Sequence, residues 1–164
     1  MYDEMRDRFQ IKSTVIIDEL MEEWDEVVQP ADYVIEVMNK PDLQVALLSN
    51  VGFEHAKRMS KVLNYGDFFK NSIKHFSCQV GARKPSLLYY HIFIQLHPEF
   101  VGSPYIDDLQ ENLDIAEQFG FRPFRFSIDE LTAENYKERL GQLESFIMGS
   151  WAIQEGGAPD IFSM

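Results

Sequence analysis

An α/β layer fold built on parallel strands is the architecture this sequence predicts. From about residue 44 onward, short apolar runs alternate with stretches of helical period, the order that produces strand–helix–strand units with right-handed crossovers. The run "QVALLSN" is continuously apolar rather than alternating, as in a strand covered on both faces. Polar residues recur just past the ends of the apolar runs: Ser49 and Asn50, then Lys84, then Asp107 and Asp108. Such positions, beyond the carboxyl ends of the strands, are where open α/β sheets bind ligands.

Two helices are expected ahead of the first strand. Ser13 or Thr14 can cap one that runs to Val28, with Ile17, Leu20, Met21, Trp24, Val27 and Val28 at helical spacing. Pro30 ends it or opens the next, "ADYVIEVMNK", which stops before Pro41. Both break the strand–helix alternation and read as an added helical piece. After the strand ending at Ser49, "GFEHAKRMSKVLNYG" is helical and stops at Gly66. "NSIKHFSC" is the second strand, although Ile73 and Phe76 do not alternate cleanly, and the loop "QVGARKP" leads into a helix from about Ser86 to Leu96. "SPYID" is the third strand, "LQENLDIAEQFG" a helix closed by Gly120, and "FRPFRF" the last strand, which Pro123 places at an edge. A C-terminal helix covers roughly Thr132 to Met148, followed by a Gly-rich tail that is loose unless Trp151 and Phe162 pin it. The divisions that follow are 1–40 for the helical lead-in, 41–148 for the α/β core and 149–164 for the tail.

Charge and composition narrow the partners. A chain of 164 residues with 45% hydrophobic content fits one domain with an ordinary core. Its formal net charge of -12 is a poor match for phosphate backbones or anionic lipid, so neither nucleic acid nor a membrane surface is an expected partner. No apolar stretch approaches the ~20 residues of a membrane span, and the opening "MYDEMRDRFQ" is not a signal peptide. Cys78 is the only cysteine, which excludes an internal disulfide and points to a reducing, cytoplasmic setting.

The polar residues at the strand ends suggest phosphate chemistry. Adjacent carboxylates such as Asp107 and Asp108 become tolerable beside a hard divalent cation, and Mg²⁺ favours one or two carboxylates together with substrate phosphate oxygens. Ser49 and the amides after it can donate to phosphate at a helix N-terminus, and Lys84 can supply a point charge to the same oxyanion. Taken singly, each has a plainer reading: an Asp ahead of a helix is an N-cap, Ser49 and Asn50 cap the helix that follows them, and Lys84 is a solvated loop lysine. Their order, each after a strand, favours a shared rim. The histidines form no paired zinc spacing, no Gly-rich nucleotide loop appears, and Tyr89, Tyr90 and Phe93 fit a packing helix face.

These motifs resemble those of the haloacid dehalogenase (HAD) superfamily, most closely the branch with a small helical cap that includes sugar-phosphate phosphatases and the N-terminal domains of epoxide hydrolases. "VALLSN" matches that family's second motif, "GARKP" its third and "YIDDLQEN" its fourth, and the likeness covers roughly residues 10 to 140. The resemblance implies a Rossmann-like parallel sheet and a Mg²⁺-dependent phosphate-monoester hydrolase acting on a small phosphorylated metabolite. Ser49 and Asn50 would then hold the phosphoryl group. Lys84 would be the catalytic cation that neutralises phosphate and nucleophile. Asp108 would be the main Mg²⁺ ligand with Asp107 assisting, and Asn112 would support the site. Residues 1–40 become a remnant of the cap and lead-in.

One part of the pattern is missing. The family's attacking aspartate belongs to an Asp-x-Asp motif that should precede Ser49, and the sequence contains none there. "TVIIDEL" is the nearest imitation, with Leu20 where the second Asp belongs and a helical spacing that continues to Val28. The expectation is a chain lacking the first, central strand, inactive or weakly active alone. The alternative is a non-catalytic phosphate- or protein-binding descendant. A missing central strand leaves the strands ending at Ser49 and Asp107 with unpaired edges. They can pair directly, "STVIID" can fill the slot, or a second polypeptide, including another copy in a homodimer, can donate a strand.

Overall fold

A computed structural model describes residues 43–56 and 72–155. The two expected N-terminal helices, the run at 13–18 and most of the helix after Ser49 lie outside the described residues. What is described is a mixed α/β structure with two small parallel two-strand sheets and several helices.

The first sheet pairs β1 (Ala46–Ser49) with β2 (Ile73–Phe76), in a register that sets Ala46 opposite Ile73 and Ser49 opposite Phe76. Residues of β1 are half-buried throughout, less covered than their continuous apolarity predicts. β2 is shorter than the predicted strand, because the chain turns at Ser77 into α1 (Ser77–Val80). There the Ser77 hydroxyl accepts the Val51 N–H at 3.0 Å and donates to the Val51 carbonyl at 3.2 Å, tying the turn to the loop after β1. α2 (Leu87–Leu96) follows, then a 3₁₀ turn at Pro98–Phe100.

The second sheet pairs β3 (Pro104–Asp107) with β4 (Arg122–Arg125), Asp107 standing opposite Arg125. Between them runs α3 (Gln110–Gln118). Gly120 closes its exit as predicted: φ is +83°, and a Cβ there would lie 3.0 Å from Val101 Cγ1. β4 has one strand neighbour among the described residues, the edge position that Pro123 predicts. The last helix, α4 (Tyr136–Glu155), starts later and runs further than its apolar pattern suggested. Thr132 and Asn135 cap one another reciprocally, Asn135 Oδ1 accepting the Thr132 N–H at 2.7 Å and Thr132 Oγ1 accepting the Asn135 N–H at 3.3 Å.

Both sheets rest on α2. Tyr89, Tyr90 and Phe93 are fully buried, and the same cluster takes Ala46 and Leu48 from β1, Ile73 from β2, Tyr105 from β3 and Leu113 and Ala116 from α3. Burying a large apolar side chain contributes about 1.5–3 kcal/mol. Edge-to-face geometry adds to that burial, as between Tyr90 and Tyr105 with ring centroids 5.9 Å apart. On α4, Leu140, Leu143 and Ile147 recur at helical spacing and meet Ile106, Phe124 and Phe126 in a second cluster.

Direct pairing of β1 with β3, one of the three ways of satisfying their edges, does not occur: β1 pairs with β2 and β3 with β4, in separate sheets. Side chains at the strand ends draw the two sheets together instead. No helix among the described residues is long and apolar enough to cross a membrane.

The junction of β2 with α2 generates a pH prediction. His75 is buried, its Nε2 lies 3.1 Å from the Tyr89 carbonyl, and the Tyr89 hydroxyl donates back to the His75 carbonyl. Burial lowers the His75 pKa below 6.5, against a smaller opposing pull from the Tyr89 carbonyl and with a further push from His97. The folded state therefore resists a proton that the unfolded chain binds near pH 6.5. This contribution is fully present above pH 6.5 and is lost as pH falls below it, at up to about 1.4 kcal/mol per pH unit. Urea midpoints should be level above that pH and decline towards pH 5, and His75→Gln should flatten the decline.

Candidate functional site

Parallel strands present their carboxyl ends on one side, and the site grows from the ends of β1 and β3. Beyond β1, the Asn50 amide pairs with both backbone groups of Lys84: Nδ2 donates to the Lys84 carbonyl at 2.9 Å, and Oδ1 accepts the Lys84 N–H at 2.8 Å. This fixes the lysine's backbone independently of its side chain. Asn50 is thus committed across 34 residues of sequence to the loop after β2, rather than to capping the helix that follows it.

At the end of β3, Asp107 and Asp108 part company. Consecutive strand residues point to opposite sides, so Asp107 turns into the protein while Asp108 is exposed. Every lone-pair direction of Asp107 is used. Oδ1 accepts the Leu109 N–H at 3.0 Å and Asn112 Nδ2 at 2.8 Å, and Oδ2 accepts Lys84 Nζ at 2.6 Å and the Tyr105 hydroxyl at 3.0 Å. An ionised carboxylate offers about four such sites. Burial alone would raise the Asp107 pKa; hydrogen bonds from Lys84, Asn112 and Leu109, with the ammonium's field, outweigh it and hold the pKa below 3.8. The side chains of Lys84 and Asp107 are only 12% and 3% exposed, so this is a desolvated ion pair and not a surface one.

The sequence-predicted residues divide accordingly. Asn50, Lys84, Asp107 and Asn112 form one hydrogen-bonded unit. Ser49 ends β1 beside it, half-buried, its backbone against the Tyr89 hydroxyl. The Asp108 carboxylate makes no hydrogen bond among the described residues, although its backbone carbonyl accepts Arg125 Nε at 3.2 Å. Asn112 Oδ1 is buried and has no hydrogen-bond partner among the described residues. Among the described residues no group of three or more His, Cys, Asp or Glu side chains is placed to hold a metal.

Three residues of the unit escaped the sequence reading. Tyr105 joins through its hydroxyl, Tyr90 lies behind it with the two oxygens 3.3 Å apart, and Ser77 braces the loop after β1. Tyr105 left a usable signal, since it stands two residues before Asp107 on the same strand face. Tyr90 left none, being one aromatic of a packing helix.

Breaking a buried ion pair by removing one partner costs about 3–5 kcal/mol. Lys84→Met should fall at the lower end of that range, because Asp107 keeps three donors. Asp107→Ala should cost more, because it strands the ammonium, a phenol, an amide and a backbone N–H together. Urea denaturation of both variants checks the order. Asp107 adds its own acid limb, with stability present above pH 3.8 and lost as pH falls through its lower folded pKa.

Comparison of the chain with protein-family models, with curated proteins and with solved structures finds no match.

Proposed function

We propose that the chain is a HAD-type α/β core that binds the phosphate of a small phosphorylated metabolite together with Mg²⁺. The observation that carries this reading is the 2.6 Å contact between Lys84 Nζ and Asp107 Oδ2, with Asn50 holding the lysine from the other strand end. It brings the cation of "GARKP", the Asn of "VALLSN" and the first carboxylate of "YIDDLQEN" to one rim. The separate parallel pairs β1–β2 and β3–β4 support the finer part of the reading, a Rossmann-like sheet interrupted between the strands that end at Ser49 and Asp107.

Roles follow from what each group has left to give. Asp107 is saturated by protein donors, so its assistance to the metal site is to hold Lys84. Asp108, with an uncommitted exposed carboxylate, is the direct ligand for Mg²⁺. Its carboxylate oxygens suit a hard cation, which keeps water and substrate oxygens for its other positions. Bound there, Mg²⁺ would supply neutralising charge to the phosphate oxygens. Lys84 and the Ser49 hydroxyl would hold those oxygens, and the rim amides beyond Asn50 would add backbone donors. None of these groups is an attacking carboxylate. The residues therefore bind and neutralise, and positioned charge without a nucleophile gives at most weak turnover.

Charge makes the reading testable. Lys84, Asp107 and Asp108 sum to one negative charge, which repels a phosphate dianion; with Mg²⁺ the sum becomes one positive charge. Phosphate should therefore raise the melting temperature only when Mg²⁺ is present, by the amount mass action allows. Asp108→Asn should abolish this coupled shift while changing the unliganded stability by no more than about 0.5 kcal/mol. An aryl phosphate added with Mg²⁺ separates the two lineages. Turnover lost in Asp108→Asn marks a hydrolase, and a coupled shift without turnover marks a non-catalytic phosphate-binding descendant. Phosphate stabilisation that is indifferent to Mg²⁺ and to Asp108 would remove the reading.

A further inference from the structure

We propose that Tyr105 is a positioning residue for the Lys84 ammonium: its phenol locks the rotation of the Asp107 carboxylate and so fixes where the ammonium stands on the rim.

Four donors meet Asp107, and they are not alike. Leu109 gives a backbone N–H, Asn112 is 3% exposed and Tyr105 is 5% exposed. Asn112 and Tyr105 come from inside the protein, Leu109 donates from the exposed segment entering α3, and the lysine reaches the carboxylate from the rim. Leu109 and Asn112 both bind Oδ1 and do not touch the oxygen that carries the lysine. Among the described residues only the Tyr105 hydroxyl and the ammonium hold Oδ2, at 3.0 and 2.6 Å. The phenol is thus the single interior restraint on the oxygen that carries the lysine.

Tyr105 is itself braced. Its ring is packed edge-to-face on Tyr90 and tilted against Phe121. The Tyr90 hydroxyl donates to the Asn112 carbonyl at 3.0 Å and lies 3.3 Å from the Tyr105 oxygen. With the Tyr90 proton engaged by that carbonyl, the single Tyr105 proton goes to the stronger, ionised acceptor. Burial raises the Tyr105 pKa well above the ordinary phenol range, so that proton stays in place. The ring adds a second restraint on the lysine, with Nζ 5.9 Å from its centroid. A phenylalanine would preserve packing and ring face alike and would remove only the hold on Oδ2.

The consequence for phosphate rests on the proposed function, but the hold on Lys84 does not, and one experiment reads both. The full chain and its Tyr105→Phe and Tyr90→Phe variants are compared by the ¹H–¹⁵N signal of the Lys84 side-chain ammonium and by titration with inorganic phosphate in the presence of Mg²⁺. A held ammonium exchanges its protons slowly and gives a resolved signal. In Tyr105→Phe that signal should broaden or vanish and phosphate affinity should fall about 5- to 10-fold, whereas Tyr90→Phe, whose hydroxyl acts only through Tyr105, should lose less of both. If no protein binds phosphate but only Tyr105→Phe loses the signal, the phosphate reading fails and the positioning role stands. An unchanged Lys84 signal in Tyr105→Phe overturns the proposal, as does equal loss in both variants, since packing would then hold the lysine. Should Tyr105→Phe not fold, the wild-type chain decides. A slowly exchanging Tyr105 hydroxyl proton close to the Lys84 side chain supports the hold, and exchange at the bulk rate overturns it.

Discussion

The Asp107 carboxylate is the point on which the described structure depends. It stands at the end of β3, it is buried, and it is ionised. An isolated charge in that position would cost several kcal/mol. Four donors remove the penalty, and they come from three places in the chain: the loop after β2, β3 itself, and the segment entering α3. Satisfying one carboxylate therefore fixes the relative placement of three segments: the loop after α1, β3 and the start of α3.

That role matters because the sheets contribute little to each other directly. Each has two strands of four residues, and a two-stranded unit is marginal without a packed face. The face is supplied by α2, whose Tyr89, Tyr90 and Phe93 touch residues from all the neighbouring elements. Non-directional burial holds the layers together, but it does not specify how β1 and β3 sit along the helix. Direction comes from polar contacts at the strand ends. Asn50 aligns the Lys84 backbone, Lys84 reaches Asp107, and the Tyr89 hydroxyl links α2 to the β2 backbone at His75. A satisfied buried network of this kind specifies one arrangement where packing alone would accept several.

Much of this was legible in the sequence, and the parts that were not share a cause. The strands ending at Ser49 and Asp107, the helix from Leu87 and the glycine closure at Gly120 follow from periodicity and turn chemistry, which are local. The polar residues at the strand ends were identifiable because parallel sheets place them there. The resemblance gave Asp108 the larger metal role, but the full engagement of Asp107 by protein donors was hidden, since adjacency in sequence conceals opposite orientation at a strand end. Tyr105 and Tyr90 read as packing because their rings do pack; what a hydroxyl reaches is a tertiary fact. The separation into two sheets was likewise beyond local signals, because edge pairing depends on elements distant in sequence.

Asp108 is the more informative carboxylate for function because it does so little for the fold. Changing Asp107, Lys84 or Asn112 disturbs a buried network, so any loss of ligand binding is confounded with lost structure. The Asp108 side chain is exposed and makes no hydrogen bond among the described residues, while its backbone carbonyl, which any residue would supply, is what meets Arg125. Stability alone gives no reason for an acid there beside a second acid, since like charges at adjacent positions repel, weakly in water but without compensation. A ligand that profits from a carboxylate projecting past a strand end does give one. On the proposed function that ligand is a cation carried together with an anion, because a lone anion would meet the net negative charge of Lys84, Asp107 and Asp108, and a metal–phosphate pair meets that condition.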